Sequence, residues 1–289
     1  MNFRPSRFEI LPNIVKNLLI INGLLFLATI VFGKQGIDLT EFLALHHWSS
    51  EKFRWWQLVT HLFMHGDVGG VGANYEAGFM HLFSNMFALW MFGSILENTF
   101  GPNRFLYFYL LCGVGASILH LGVVTWQLNG VQDVVAQFNH PMTLDQFSAY
   151  LNSHHYSRNS QLGAMLFDIK QQWAAAGSVS PSFMQSVSIE LQKYLTMQRD
   201  IPTVGASGAV FGILFAFGYL FPNTELYLYF IPIPIKAKYF VAFYAIFELY
   251  AGIRNSESDN IAHFAHLGGM LVAFIIINVW NKTNRKSLY

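Results

Sequence analysis

The chain has 289 residues, of which 53% are hydrophobic, 17% aromatic and only 11% charged, against about 25% charged in a soluble domain. With a mean hydropathy of +0.35, this composition excludes a disordered chain and disfavours a cytosolic enzyme. A net charge of +1 without a Lys/Arg-dense run disfavours a nucleic-acid binder, and the single cysteine, Cys112, permits neither an intrachain disulfide nor a Cys-based zinc site. The expected fold class is all-α, a polytopic membrane protein.

In chain order, an N-terminal segment, 1–17, carries Arg4, Arg7 and Lys16 and precedes an apolar run at 18–32. No small-x-small cleavage site follows this run, so it reads as a retained anchor. A long first outer loop, 33–78, contains a Gly-rich stretch from Gly66 to Gly78. Apolar runs at 79–96 and 105–125 give the second and third spans, and 18–125 forms the first half of the membrane region. A segment rich in Gln and Ser, 126–203, reads as a helical insert outside the membrane. Thr143 with Gln146 forms a capping box there, and Ser180-Pro181 gives an N-cap followed by proline at the first helical position. The second half, 204–280, holds runs at 204–221, 239–253 and 261–280, followed by a tail, 281–289. Each run approaches or reaches the roughly 20 residues that a helix needs to cross a bilayer. The first and fifth are short and extend into polar flanks. The stretch LYLYFIPIPI at 226–235 is too short to span and its prolines disfavour helix; a loop on the membrane surface is expected.

Arg4, Arg7, Lys16, Arg104, Lys236, Lys238, Lys282, Arg285 and Lys286 fall on one side of this arrangement, and only Lys34, Lys52, Arg54 and Arg254 on the short segments of the other. The bias predicts cytoplasmic termini and a site opening to the outer face. Length and simplicity suggest a bacterial inner (cell) membrane.

Polar residues inside apolar spans are costly and usually functional. His81 and Asn85 share one face at the start of the second span. Gly205-Ala206-Ser207-Gly208 opens the fourth, and His263 and His266 open the sixth. These three spans run in the same direction, and at 1.5 Å per residue the depths of Ser207, His266 and His81 differ by only a few ångströms. Small residues every four positions, Gly208, Gly212 and Ala216 in one span and Gly269 and Ala273 in another, let two helices approach closely. Ser207 and His266 are then within reach of each other. A neutral imidazole can take the serine proton as the hydroxyl attacks a carbonyl. Asn85, His81 and the Ser207 backbone N–H can face the developing oxyanion; losing one such donor costs about 3 kcal/mol.

The Gly-x-Ser-Gly at 205–208, the His-x-x-x-Asn at 81–85, the Ala-His-x-x-Gly at 265–269 and the run WQLVTHLFMHG at 56–66 together resemble the rhomboid intramembrane serine proteases. The likeness covers most of the chain outside about 126–200 and 66–78. It implies a six-transmembrane-helix bundle and a Ser–His dyad with no required acid and no cofactor or metal. Ser207 would be the nucleophile, His266 the general base and then acid, and His81 and Asn85 the oxyanion site. Gly205, His65 and Phe211 would support them, Phe211 by stacking beneath His266. The substrates implied are membrane proteins, cut in or near a transmembrane segment after a small residue. Four departures stand out: Gln57 after Trp56 where the family often has Arg, which would loosen the first loop; Phe211 where Tyr is common; Ala273 for Gly; and about eleven extra residues between His65 and His81.

Other readings remain open. The chain could be a catalytically inactive rhomboid-like protein that binds membrane clients. It could also be a metal transporter built on His61, His65, His81, His263 and His266, since clustered imidazoles suit Zn, Cu or Ni. His263 competes with His266 for the base role, Asn85 could serve helix packing, and Glu248, an intramembrane carboxylate, could pair with a polar group or face a wet cavity. The polar loop 254–262 is a plausible gate. The oligomeric state is not legible.

Overall fold

A computed structural model describes residues 8–283, except 67, 69–72, 139, 141, 155, 157, 159, 178–179, 228–233 and 255–261. The first helix, α1 (Asn13–Gly33), starts ahead of its apolar run. Its first amides are capped from another helix: Glu97, 3% exposed, accepts from the backbone N–H of Ile14 at 3.0 Å and Val15 at 2.8 Å. A carboxylate is favourable at that end because the first-turn amides lack intrahelical partners and carry the positive end of the helix dipole.

The first loop contains two short helices, α2 (Leu39–Leu43) and α3 (Gln57–Thr60), and a 3-10 turn, His61–Phe63. Gln57 does not loosen it. The side chain is fully buried, accepts from the backbone N–H of Arg54 at 3.1 Å and His46 at 3.3 Å, and donates to the Lys52 carbonyl at 3.1 Å. An amide both donates and accepts, which suits the center of a tight loop.

The second span is continuous, from α4 (Tyr75–Ala88) through a π-helical turn (Leu89–Gly93) into α5 (Ser94–Phe100). The third, α6 (Pro102–Phe138), is 37 residues long and does not end at the expected boundary of 125. No proline interrupts the chain there, so the helix carries on and the insert begins as its extension. Then follow α7 (Leu144–Ser153), with the expected capping box on Thr143, α8 (Gln161–Ala176), and α9 (Pro181–Asp200), capped by Ser180 with proline in its first turn. These helices enclose their own apolar core around Phe138, Phe147, Leu166, Trp173 and Leu191. The insert is tied to the first loop where the His47 backbone N–H donates to the Arg199 carbonyl at 3.3 Å and Leu45 bridges Thr203.

The fourth helix, α10 (Ser207–Leu220), has only 14 residues, about 21 Å of rise. It starts later than the run at 204–221 because the preceding residues are held as loop: the Gly205 N–H donates to the His61 carbonyl at 2.9 Å. Residues all around α10 are buried, as expected of a helix enclosed by others. After it, β1 (Glu225–Leu226) and β2 (Ile235–Lys236) form a short antiparallel hairpin where a surface loop was expected; 228–233 of that loop lie outside the described residues. Helices α11 (Ala237–Arg254) and α12 (His263–Thr283) complete the bundle. The expected gate at 254–262 falls mostly outside the described residues.

Among the described residues, four helical stretches are long and apolar enough to cross a membrane: Asn13–Gly33, Tyr75–Phe100, Pro102–Phe138 and His263–Lys282. With the shorter α10 and α11 they make the expected all-α bundle. Its tightest seams lie where small residues face each other. A Cβ on Gly208 would sit 2.6 Å from that of Ala116, and one on Gly212 would sit 2.8 Å from the Cys112 sulfur and 3.1 Å from the Gly269 carbonyl. A side chain in place of either glycine would clash, so the helices can come this close only where glycine stands on one of them.

Candidate active site

Ser207 is the first residue of α10 and His266 lies in the first turn of α12. The Gly208–Gly269 contact between these helices brings them together: His266 Nε2 stands 2.9 Å from Ser207 Oγ. Phe211, one turn below Ser207, lies flat against the imidazole, with ring centroids 4.0 Å apart and planes 8° from parallel. His266 is 7% exposed.

Gly205 approaches the site with φ of +121°, a region that favours glycine because it lacks a Cβ. A Cβ there would also lie 2.8 Å from His81 Cε1 and 3.0 Å from Nε2. The His81 ring therefore sits directly against the loop that delivers Ser207. Asn85, buried one turn further along α4, donates one amide hydrogen to the His81 carbonyl at 2.8 Å; its second hydrogen is the one available to a bound group.

His65 stands behind His81, with rings 5.2 Å apart and close to perpendicular. Its Nε2 meets Asn22 Oδ1 at 2.7 Å, while Asn22 Nδ2 donates to the Leu18 carbonyl at 2.7 Å. The amide orientation makes His65 the donor. Burial pushes the His65 pKa down to about 3, so the ring is neutral near pH 7. Asn22, buried in the first span, thus supports a histidine behind the site; its only signal in the sequence is an amide within an apolar run.

The histidines proposed for metal transport go to different partners. His61 contacts the Gln57 carbonyl at 2.7 Å and Ser117 Oγ at 3.1 Å, and His65 contacts Asn22. His263 Nδ1 and His266 Nδ1 both meet Glu248 Oε2, at 2.6 and 2.9 Å. Among the described residues, Glu248, His263 and His266 are the group with metal-ligand atoms within 4.8 Å of one another, and the two contacts to a single oxygen have hydrogen-bond lengths. His263 thus faces Glu248, while His266 bridges Glu248 and Ser207. Glu248, legible in the sequence as an intramembrane carboxylate, has these two histidines as its partners.

The arrangement offers a hydroxyl with an imidazole within hydrogen-bond distance of it. A family model, the Rhomboid domain, matches residues 52–127 and 161–281. Among curated proteins, the chain is 26% identical to RHOMBOID-like protein 12, mitochondrial, of Arabidopsis thaliana, over 91% of this chain and 57% of the relative. It is also 26% identical to Rhomboid protein 1, mitochondrial, of Saccharomyces cerevisiae, over 68% of this chain and 37% of the relative. An uncharacterized mitochondrial rhomboid protein of Schizosaccharomyces pombe is 26% identical over 82% of this chain and 53% of the relative. The chain spans about half the length of these relatives or less.

All three names are mitochondrial, which overturns the expectation of a bacterial inner membrane with cytoplasmic termini and an outward-opening site. Hydropathy registers a bilayer without saying which one, and a Lys/Arg bias ranks the two faces without naming their compartments.

Proposed function

The chain belongs to the rhomboid family, and from that premise we propose that it is a serine protease acting within the membrane. The observation that carries this reading is the 2.9 Å approach of His266 Nε2 to Ser207 Oγ. His266 takes the Ser207 proton as Oγ attacks the scissile carbonyl. The resulting oxyanion is held by the Ser207 backbone N–H, the His81 ring and the free hydrogen of the Asn85 amide. The tetrahedral intermediate collapses, the C–N bond breaks, and His266 returns the proton to the leaving amine. Water then attacks the acyl-enzyme with His266 again as base, releasing the carboxylic product and restoring Ser207.

The substrates are membrane proteins cut in or near a transmembrane segment, because the nucleophile sits at the head of a helix enclosed by spanning helices. As the family likeness implies, the cleavage point follows a small residue. The mitochondrial names of the relatives favour a mitochondrial membrane. A serine-reactive fluorophosphonate tests the reading: labelling of wild type that disappears in Ser207→Ala supports it, and an unlabelled, folded wild type favours an inactive, client-binding protein.

A further inference from the structure

A buried imidazole serves as a base only if its unprotonated nitrogen faces the nucleophile. In a neutral histidine one ring nitrogen carries the proton, and what the other nitrogen meets decides which. His266 meets Ser207 Oγ through Nε2 and Glu248 Oε2 through Nδ1. Glu248 projects from α11, a different helix from either dyad member, and is 4% exposed. Its Oε2 also meets Nδ1 of His263, one turn before His266 on α12.

We propose that Glu248 is a positioning residue for the reaction: its carboxylate holds His266 in the Nδ1–H form, leaving the Nε2 lone pair on Ser207, with His263 clamping that carboxylate in place. The inference rests on the protease reading and deepens it, since the Ser–His pair is then one end of a hydrogen-bonded chain running from Ser207 through His266 and Glu248 to His263. The geometry favours this in three ways. A carboxylate only accepts when ionised, and a single oxygen meeting two imidazole nitrogens is satisfied when both donate. His263 donating to the same oxygen restricts the rotamers open to Glu248. The close packing of α11 on α12, where a Cβ on Gly252 would lie 3.1 Å from the Phe264 ring and 3.3 Å from His263 Cβ, fixes the distance between the carboxylate and both rings. Phe211 restrains the His266 plane, so Glu248 settles the remaining variable, the tautomer.

During attack the Ser207 proton moves to His266 Nε2, and the imidazolium that forms lies beside the carboxylate. The Nδ1 proton stays on the ring, and Glu248 is not protonated. Removing the acid of a Ser–His–acid site costs up to about 10⁴-fold in kcat; here, where the family likeness implies that a dyad suffices, at least tenfold is expected.

The test uses the full chain in lipid nanodiscs with ¹⁵N-labelled histidine, the His266 signals being assigned by their loss in His266→Ala. Wild type is expected to show His266 protonated at Nδ1 and bare at Nε2. In Glu248→Met, which keeps the length and removes the carboxylate, the Nδ1–H form should lose its dominance. Fluorophosphonate labelling of Ser207, and kcat on a transmembrane substrate, should fall at least tenfold while KM changes less than about threefold. A wild-type His266 protonated at Nε2 would overturn the proposal, as would a Glu248→Met protein that labels and turns over at the wild-type rate, whatever its tautomer. If Glu248→Met does not fold, the wild-type tautomer decides. If wild type fails to label at Ser207, the protease reading falls, while the tautomer measurement still judges the role of Glu248.

Discussion

The α carbon of Gly269 faces the carbonyl of Gly208 so closely that a Cβ on Gly269 would fall far inside van der Waals contact with that oxygen. This contact between α10 and α12 sets the distance between Ser207, next to Gly208, and His266, one turn before Gly269. Gly269→Ala must therefore push the helices apart. We expect a stability loss of about 1–3 kcal/mol, typical of overpacking, together with a fall in fluorophosphonate labelling larger than the change in the folded fraction. Thermal unfolding and labelling rates on the same preparation check this; wild-type labelling in Gly269→Ala would show that the seam does not position the site.

Asn22 links the first span to the loop that backs the site. Asn22→Leu leaves the buried His65 Nε2–H without its acceptor at 2.7 Å. A buried polar group that loses its partner costs about 1–3 kcal/mol, so the melting temperature should fall, and with it the rigidity of His81, against which His65 packs. Thermal unfolding of Asn22→Leu beside wild type measures the loss. Equal melting temperatures would mean that the Asn22–His65 bond adds nothing to the fold.

Acid should destabilize the first loop. Burial pushes the pKa of His65 down to about 3 and that of His61 down to about 4, from 6.5 when unfolded. The unfolded chain then binds more protons between those values and about 6.5, so stability rises with pH across that window and is lost on acidification. Each group contributes a slope approaching about 1.4 kcal/mol per pH unit within its window. The melting temperature should drop between pH 7 and pH 4.5, and a flat profile there would contradict a neutral, buried pair.

Ser207, His266 and His81 were legible in the sequence because membrane helices make depth countable. Polar residues near the starts of parallel spans must share a layer, and the Gly208 and Gly269 spacings name the faces that meet. Glu248 was visible as an anomaly, but its partners were not. It lies 15 and 18 residues from His263 and His266 on an adjoining helix, and no periodicity connects them. Asn22 was hidden for the same reason, pairing across 43 residues with His65. The length of the third helix was not legible because polar, helix-compatible residues can mark either the exit from a bilayer or the end of a helix, and here the helix runs on to Phe138. The short α10 escaped because its first turn is given up to a loop bonded to His61, a tertiary contact with no local signal.

The account turns on Ser207 acting as a nucleophile with His266 as its base, and cleavage in a reconstituted membrane tests it most directly. Purified wild type, Ser207→Ala and His266→Ala are mixed in proteoliposomes with a single-span substrate carrying a small residue near the end of its transmembrane segment. Wild type is expected to yield two fragments, and both variants to yield none above background while retaining wild-type helical content. Equal cleavage by wild type and Ser207→Ala, or none by a folded wild type on any such substrate, would contradict it.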